Sequence, residues 1–228
     1  MSLRKKIFAA IYDPMSRASE EAGMREMRHG LLAEAGGSVL EIGAGTGANL
    51  AHYDDRIESL VFTEPEPAML RRLERKASEE APLATILQAP AEDMPFEDDS
   101  FDTVVSTLVL CGVDDQARSL REIHRVLRPG GRLLFVEHVR SDDPGLARLQ
   151  DRISPLNRFF FGCDCNRSTA PVLSAACAYR LKLTTPRADE KTIRFPSGVQ
   201  TGKPSTPGLE VSRVKVSWPT SHTQMSFS

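Results

Sequence analysis

Val39-Leu40-Glu41-Ile42-Gly43-Ala44-Gly45-Thr46-Gly47 joins a short apolar run to a glycine-rich turn. Similar apolar runs follow at 60–63, 84–87, 103–107 and 133–136. None alternates cleanly with polar residues, the pattern of parallel strands covered on both faces. The stretches between them read as helices, most clearly 115–128, where Ala117, Leu120, Ile123 and Leu127 form one stripe. Asp114 or Asp115 caps its start, Arg125 and Arg128 suit its C-terminal dipole, and Pro129-Gly130-Gly131 stops it. Strands alternating with helices predict an α/β fold with a Rossmann-like, doubly wound, mostly parallel sheet. Such sheets bind ligands outside the carboxyl ends of their strands, where the glycine turn falls.

The chain has 228 residues, enough to bury a substantial core as one domain. Its net charge of −2 and pI near 6.2 disfavour a surface that coats nucleic acid, so no nucleic-acid partner is expected. Four cysteines are too few for a disulfide scaffold, and reduced, cytoplasmic thiols follow. Cys163-x-Cys165 is half of a zinc pattern, but no second Cys or His pair stands at zinc-like spacing, so no metal is expected. Ile7, Phe8, Ile11, Tyr12 and Met15 recur at helical spacing behind Arg4, Lys5 and Lys6. That run is far too short to span a membrane. It predicts a helix that packs on the domain or makes peripheral contact with a membrane surface. In residues 181–228, 19 of 48 are Ser, Thr or Pro. We read 1–180 as the domain and 181–228 as a divergent tail, either one or two weak strands with a flexible terminus or disordered, its odd composition pointing to a frame change or a recent divergence.

The spacing Gly43-x-Gly45-x-Gly47 brings backbone close to a ligand. A dinucleotide fingerprint needs its third glycine one place later. The Glu41 carboxylate attracts an ammonium group and repels a pyrophosphate. Together these favour S-adenosylmethionine over a nicotinamide dinucleotide, with Ala44 inside the same loop. Glu64 ends the next run and suits a bidentate grip on the ribose hydroxyls. Pro65 packs near the adenine or simply starts a helix. Ala91, Glu92 and Asp93 follow the third strand, where residues reach the adenine edge. Thr107 and Leu108 end the fourth strand, beside the reactive sulfonium.

VLEIGAGTG, Glu64 in FTEPEPAML, AEDMPFEDDSFD and RVLRPGG together resemble the class I S-adenosylmethionine-dependent methyltransferases of the ubiquinone/menaquinone and phospholipid group, over about residues 8–178. From about residue 86, STLVLCGVDDQ, REIHRVLRPGG, FVEHV and GCDCNR look closer to the alkyl thiol methyltransferases of animals and their bacterial relatives. The resemblance implies a seven-stranded Rossmann-like fold and methyl transfer to a small or lipophilic acceptor: an alkyl thiol, a quinone precursor or a phospholipid. It implies that Glu41, Gly43, Gly45 and Gly47 hold the methionine portion, Glu64 the ribose, and Ala91 and Glu92 the adenine, with Thr107 and Leu108 lining the donor pocket. Two departures stand out. Pro90 replaces an Asp common in relatives, and residues 181–228 do not look like the usual final hairpin.

An activated sulfonium needs mainly alignment with its acceptor. His138, after the fifth strand, is the candidate general base for an acceptor that arrives protonated. Tyr12 closes over the site or packs on the domain. Leu146, Leu149, Ile153, Leu156 and Phe159-Phe160-Phe161 make 141–163 unusually apolar, as an acceptor pocket or a helix packed on the core. The rival reading from another class is a non-catalytic protein that binds S-adenosylmethionine without turnover.

Overall fold

A computed structural model describes residue 17, residues 19–141 and 143–167, and the backbone of 182–183, 193–194 and 210–217; side chains at 22, 160 and 161 are outside that description. Tyr12 and its apolar run, the expected helix after Arg167 and most of 181–228 lie outside the described residues.

A π-helical turn (Glu20–Met24) runs into α1 (Arg25–Leu32), which leads into β1 (Gly37–Ile42). Then come β2 (Ile57–Thr63), α2 (Pro67–Glu80), β3 (Thr85–Leu87) and β4 (Phe101–Thr107). They are followed by α3 (Gln116–Val126), β5 (Leu127–His138) and α4 (Pro144–Phe161). The five strands pair in parallel in the order β3-β2-β1-β4-β5, so the winding reverses between β1 and β4. This is the Rossmann-like arrangement expected from the apolar runs. On the far side of β5 lies antiparallel β8 (Glu210–Ser217), with Val214 opposite Phe135 and Val216 opposite Leu133. Two short strands, β6 (Lys182–Leu183) and β7 (Ile193–Arg194), also pair with β8.

Successive residues of each strand enter opposite cores, which explains the missing polar alternation. Leu40, Ile42, Val104, Leu133 and Phe135 pack against Leu120, Ile123 and Val126 of α3. Val39, Val105, Leu134 and Val136 pack against Met27, Leu31 and Leu32 of α1. Phe62 and Leu73 of α2 build a third cluster with Leu50.

The expected alternation of strand and helix fails twice. Between β1 and β2 the chain makes only a short helical turn, Leu50–His52. Three left-handed glycines occupy the start of that connection, at φ +56°, +61° and +82° for Gly43, Gly45 and Gly47, and left-handed residues cannot continue a right-handed helix. Between β3 and β4 there is no helix, and Pro90 and Pro95 interrupt the backbone donors there. Asp115 does cap α3, its carboxylate accepting from the Arg118 N–H at 2.9 Å. Of the two arginines expected at the helix C-terminus, Arg125 lies in the last turn of α3 and Arg128 lies beyond it in β5. Arg125 donates to the Met94 and Phe96 carbonyls and pairs with Glu122, closing the 94–98 loop. Arg128 pairs with Asp102 at 2.6 Å. Among the described residues no helix is long and apolar enough to cross a membrane.

Candidate active site

The glycine turn leaves β1 at its carboxyl end, and each glycine there meets a different surrounding. A Cβ on Gly43 would stand 2.7 and 2.8 Å from the two methyl groups of Val109. A Cβ on Gly47 would meet Leu50 at 2.5 Å. A Cβ on Gly45 would meet nothing within 4 Å, so that side of the turn faces open space. Gly45 N–H donates to Glu64 Oε2 at 2.8 Å, and Glu66 N–H donates to Glu64 Oε1 at 2.8 Å. The Glu64 carboxylate is therefore fixed at the end of β2 beside the open glycine. Burial raises its pKa, against the bonds from Glu66 and Gly45.

Glu41, one residue before the end of β1, is buried in a polar network. Tyr53 donates its hydroxyl to Glu41 Oε2 at 2.6 Å, and Asn49 Nδ2 donates to Oε1 at 3.0 Å. Asn49 and Arg28 both reach Thr107 Oγ1 at 3.0 Å, and Arg28 also donates to Asn49 Oδ1 at 2.8 Å. Arg28 from α1 thus ties together the carboxyl ends of β1 and β4. Burial raises Glu41 from an ordinary 4.5 to about 7, against hydrogen bonds from Tyr53 and Asn49 and the charge of Arg28.

That shift has a measurable consequence. The folded chain keeps a proton on Glu41 that the unfolded chain releases. The stability this contributes is complete below about pH 4.5 and is lost as pH rises to about 7. A rise of that size is worth about 3 kcal/mol. Glu41→Gln is expected to remove this share of the pH dependence. Urea midpoints for both proteins at about pH 5 and about pH 8 measure it. Equal pH dependence in the two proteins would exclude Glu41 as its source.

Thr107 is followed by Leu108, one of two non-glycine residues with positive φ among the described residues, at +60°. Its N–H donates to the Val136 carbonyl at 2.7 Å. The next three peptides turn onto one side chain. Glu137 Oε1 accepts from the N–H groups of Val109 and Leu110, both at 2.8 Å, and from Ser106 Oγ at 3.0 Å. Glu137 Oε2 accepts from Cys111 N–H at 3.1 Å. Burial raises the Glu137 pKa, against the three backbone bonds. This carboxylate shapes the wall that faces the glycine turn.

His138 lies one residue further along β5. Its Nδ1 is 3.2 Å from Cys163 Sγ and 3.6 Å from Cys111 Sγ, and the two sulfurs are 3.1 Å apart. Hydrogen bonding from Cys111, then from His138, lowers Cys163 from 9.0 to about 5 against the effect of burial. Burial acts to lower His138, but Cys163 and Glu137 outweigh it and raise the imidazole.

The remaining expected site residues divide. Ala91 is buried in the core cluster around α3. Glu92 Oε1 accepts from the N–H groups of Asp114 and Asp115 at 2.9 and 3.3 Å, holding the entry to α3. Pro65 is exposed, and its carbonyl accepts from Gln88. Ala44 donates its N–H to the Thr63 carbonyl at 3.0 Å, lacing the turn to β2. The structure thus joins Glu41, Gly43, Gly45, Glu64, Thr107 and Leu108 at the switch point. It adds Arg28, Asn49, Tyr53, Glu137 and Cys111, which the sequence patterns do not single out, and Cys163, which they single out only as half of a zinc pair. In α4 the apolar residues Leu149, Leu156 and Phe159 are exposed, while Gln150 and Ser154 are buried. Gln150 donates to the Val139 and Cys165 carbonyls, both at 3.0 Å, fixing α4 to the end of β5.

Comparison with known proteins meets this geometry. Residues 40–135 match the methyltransferase domain family. The chain is 37% identical over 151 residues to the human (Homo sapiens) thiol S-methyltransferase TMT1A, covering 64% of this chain and 62% of that protein. It is 32% identical over 148 residues to phosphatidylethanolamine N-methyltransferase of Cereibacter sphaeroides, covering 64% of this chain and 71% of that protein. A solved S-adenosylmethionine-dependent methyltransferase of Thermotoga maritima, described as a possible histamine N-methyltransferase, shares the fold. It has a TM-score of 0.63 at 20% identity, covering 94% of this chain and 99% of that one. The chain belongs to the S-adenosylmethionine-dependent methyltransferase family.

Proposed function

We propose that this chain transfers the methyl group of S-adenosylmethionine to a small lipophilic acceptor, with an alkyl thiol as the leading class. The observation that carries the cofactor half is the switch-point cradle. Gly45 faces open space with its N–H on Glu64, and Glu41 lies at the end of the neighbouring strand. The Glu64 carboxylate beside the open glycine suits the hydroxyls of a ribose and would repel a pyrophosphate, while buried Glu41 braces the end of β1 behind the turn. When bound, S-adenosylmethionine supplies a methyl group already activated on a sulfonium. The residues around it then orient donor and acceptor and exclude water. The acceptor half rests on the likeness to the human thiol S-methyltransferase.

In the reaction an acceptor sulfur forms a bond to the methyl carbon as the carbon–sulfonium bond breaks. The products are a thioether, S-adenosylhomocysteine and the proton of the thiol. Thiols with pKa about 8.5 are partly ionised at neutral pH, so the demand on a base is modest. In the chain without a bound cation, His138 at the end of β5 is the candidate to take that proton.

The test is turnover with S-adenosylmethionine against alkyl thiols, quinols and phosphatidylethanolamine vesicles. The expected result is thioether and S-adenosylhomocysteine in equal amounts from the thiols, with little product from the other two classes. Calorimetric binding of S-adenosylhomocysteine with no turnover on any acceptor would favour the non-catalytic reading instead.

A further inference from the structure

Cys111, His138 and Cys163 come from three separate segments: the loop after β4, the end of β5 and the loop after α4. Their Sγ, Nδ1 and Sγ atoms all lie within 4.8 Å of one another. We propose that these three side chains bind one thiophilic divalent cation of the zinc class.

The chemistry of the donor set comes first. Two thiols and an imidazole are soft and borderline donors, which select zinc-like ions over calcium or magnesium. Three protein ligands leave a fourth position for water or an exogenous ligand, as in open zinc sites. The spacing also fits. Tetrahedral geometry at Zn–S about 2.3 Å and Zn–N about 2.0 Å needs sulfurs about 3.8 Å apart and S···N distances about 3.5 Å. The present separations of 3.1, 3.2 and 3.6 Å lie within a small adjustment of that. The sulfurs are too far apart for a disulfide, whose bond is about 2.05 Å, and both thiols are free.

The scaffold behind the ligands is built independently of them. Glu137 holds the Cys111 peptide through its N–H, and the Cys111 carbonyl accepts from Asp164 N–H at 3.0 Å. Arg167 donates to the carbonyls of Leu110 and Val113. Gly112 packs so close to Gly162 that a Cβ would stand 3.0 Å from its carbonyl oxygen. Two loops are thus locked together with one cysteine on each. Outer-shell bonds of this kind orient metal ligands. The buried Glu137 carboxylate beside Cys111 also makes the place favourable to positive charge. Cys165 is not part of the set: its sulfur is 3.3 Å from Asn157 Nδ2, in a different direction. The C-x-C pair therefore splits, which is why zinc-type pair spacing misses the site.

The experiment titrates the reduced, full-length chain with Co²⁺, then displaces it with Zn²⁺. The expected result is one Co²⁺ per chain with a near-ultraviolet thiolate-to-cobalt charge-transfer band. Cys163→Ser is expected to lose most of that band, His138→Gln to weaken Co²⁺ binding at least about tenfold, and Cys165→Ser to keep both band and affinity. Zn²⁺ is also expected to raise the melting temperature of the unmodified chain and not that of Cys163→Ser. This second readout serves if a variant folds poorly. Absence of the band in the unmodified chain, its undiminished survival in Cys163→Ser, or unchanged Co²⁺ affinity in His138→Gln would overturn the proposal. None of these readouts uses methyl transfer, so their failure leaves the proposed function standing.

Discussion

Glu137→Ala is expected to destabilise the fold by about 3–6 kcal/mol and to abolish cofactor binding, the largest effect of any single substitution argued from this structure. The side chain is fully buried and accepts four hydrogen bonds, three of them from consecutive backbone N–H groups. Alanine removes every acceptor at once. Each buried donor left without a partner costs about 1–3 kcal/mol, partly recovered because a buried carboxylate is no longer present. The loop from Leu108 to Cys111 then has nothing to turn around, and the wall facing Gly43 loses its shape. Glu137→Gln keeps one oxygen and most of the volume, so a loss of about 1–3 kcal/mol is expected, with weakened but measurable binding. Urea unfolding and calorimetry with S-adenosylhomocysteine report the two quantities. An alanine variant within about 1 kcal/mol of the parent would show that water satisfies these amides equally well.

Gly43→Ala is the second large effect, and its comparison with Gly45→Ala separates packing from binding. Both residues are left-handed, so an added Cβ costs about 1–2 kcal/mol at either. At Gly43 the methyl also runs into both methyl groups of Val109. A β-branched side chain has few other rotamers, and the Val109 peptide is held by Glu137. Overpacking there adds about 1–3 kcal/mol, giving a loss of about 2–5 kcal/mol in all. At Gly45 no neighbour is within reach, so only the conformational cost applies. The expected outcome is a crossed pattern. Gly43→Ala loses the more stability, while Gly45→Ala loses only the conformational part, about 1–2 kcal/mol, but is expected to lose cofactor affinity as its methyl enters the open face of the turn. If Gly45→Ala binds S-adenosylhomocysteine as tightly as the parent, that face of the turn does not meet the cofactor.

The sheet was legible because its strands are covered on both sides. Val39 to Ile42 and Thr103 to Thr107 feed two cores by turns, and such runs stay apolar whatever the connections do. The cap at Asp115 was equally legible, since N-capping depends on neighbours three residues away. The missing helices were not. Left-handed glycines and two prolines override an amphipathic reading, and the periodicity does not weigh them. At the site, Glu41 and Glu64 could be named from their places at strand ends. Their partners could not. Arg28 reaches Thr107 across 79 positions, and Cys111 reaches Cys163 across 52. Only the packing of α1 on the sheet, and of one loop on another, creates those contacts. Glu92 shows the opposite limit: a carboxylate beside the expected adenine site is engaged in holding the start of a helix.

The turn from Leu108 to Cys111 is four residues long, gripped by one carboxylate and bounded by the glycine turn on one side and the thiol–imidazole cluster on the other. A segment so short has no slack. Moving Cys111 by a few tenths of an ångström is expected to move Val109, whose methyl groups fill the place a Cβ on Gly43 would take. The two places are therefore joined by thermodynamic reciprocity: whatever factor an occupant of the cluster applies to cofactor affinity, the cofactor applies to that occupant. Titrating one ligand in the presence of the other would read the coupling from either end.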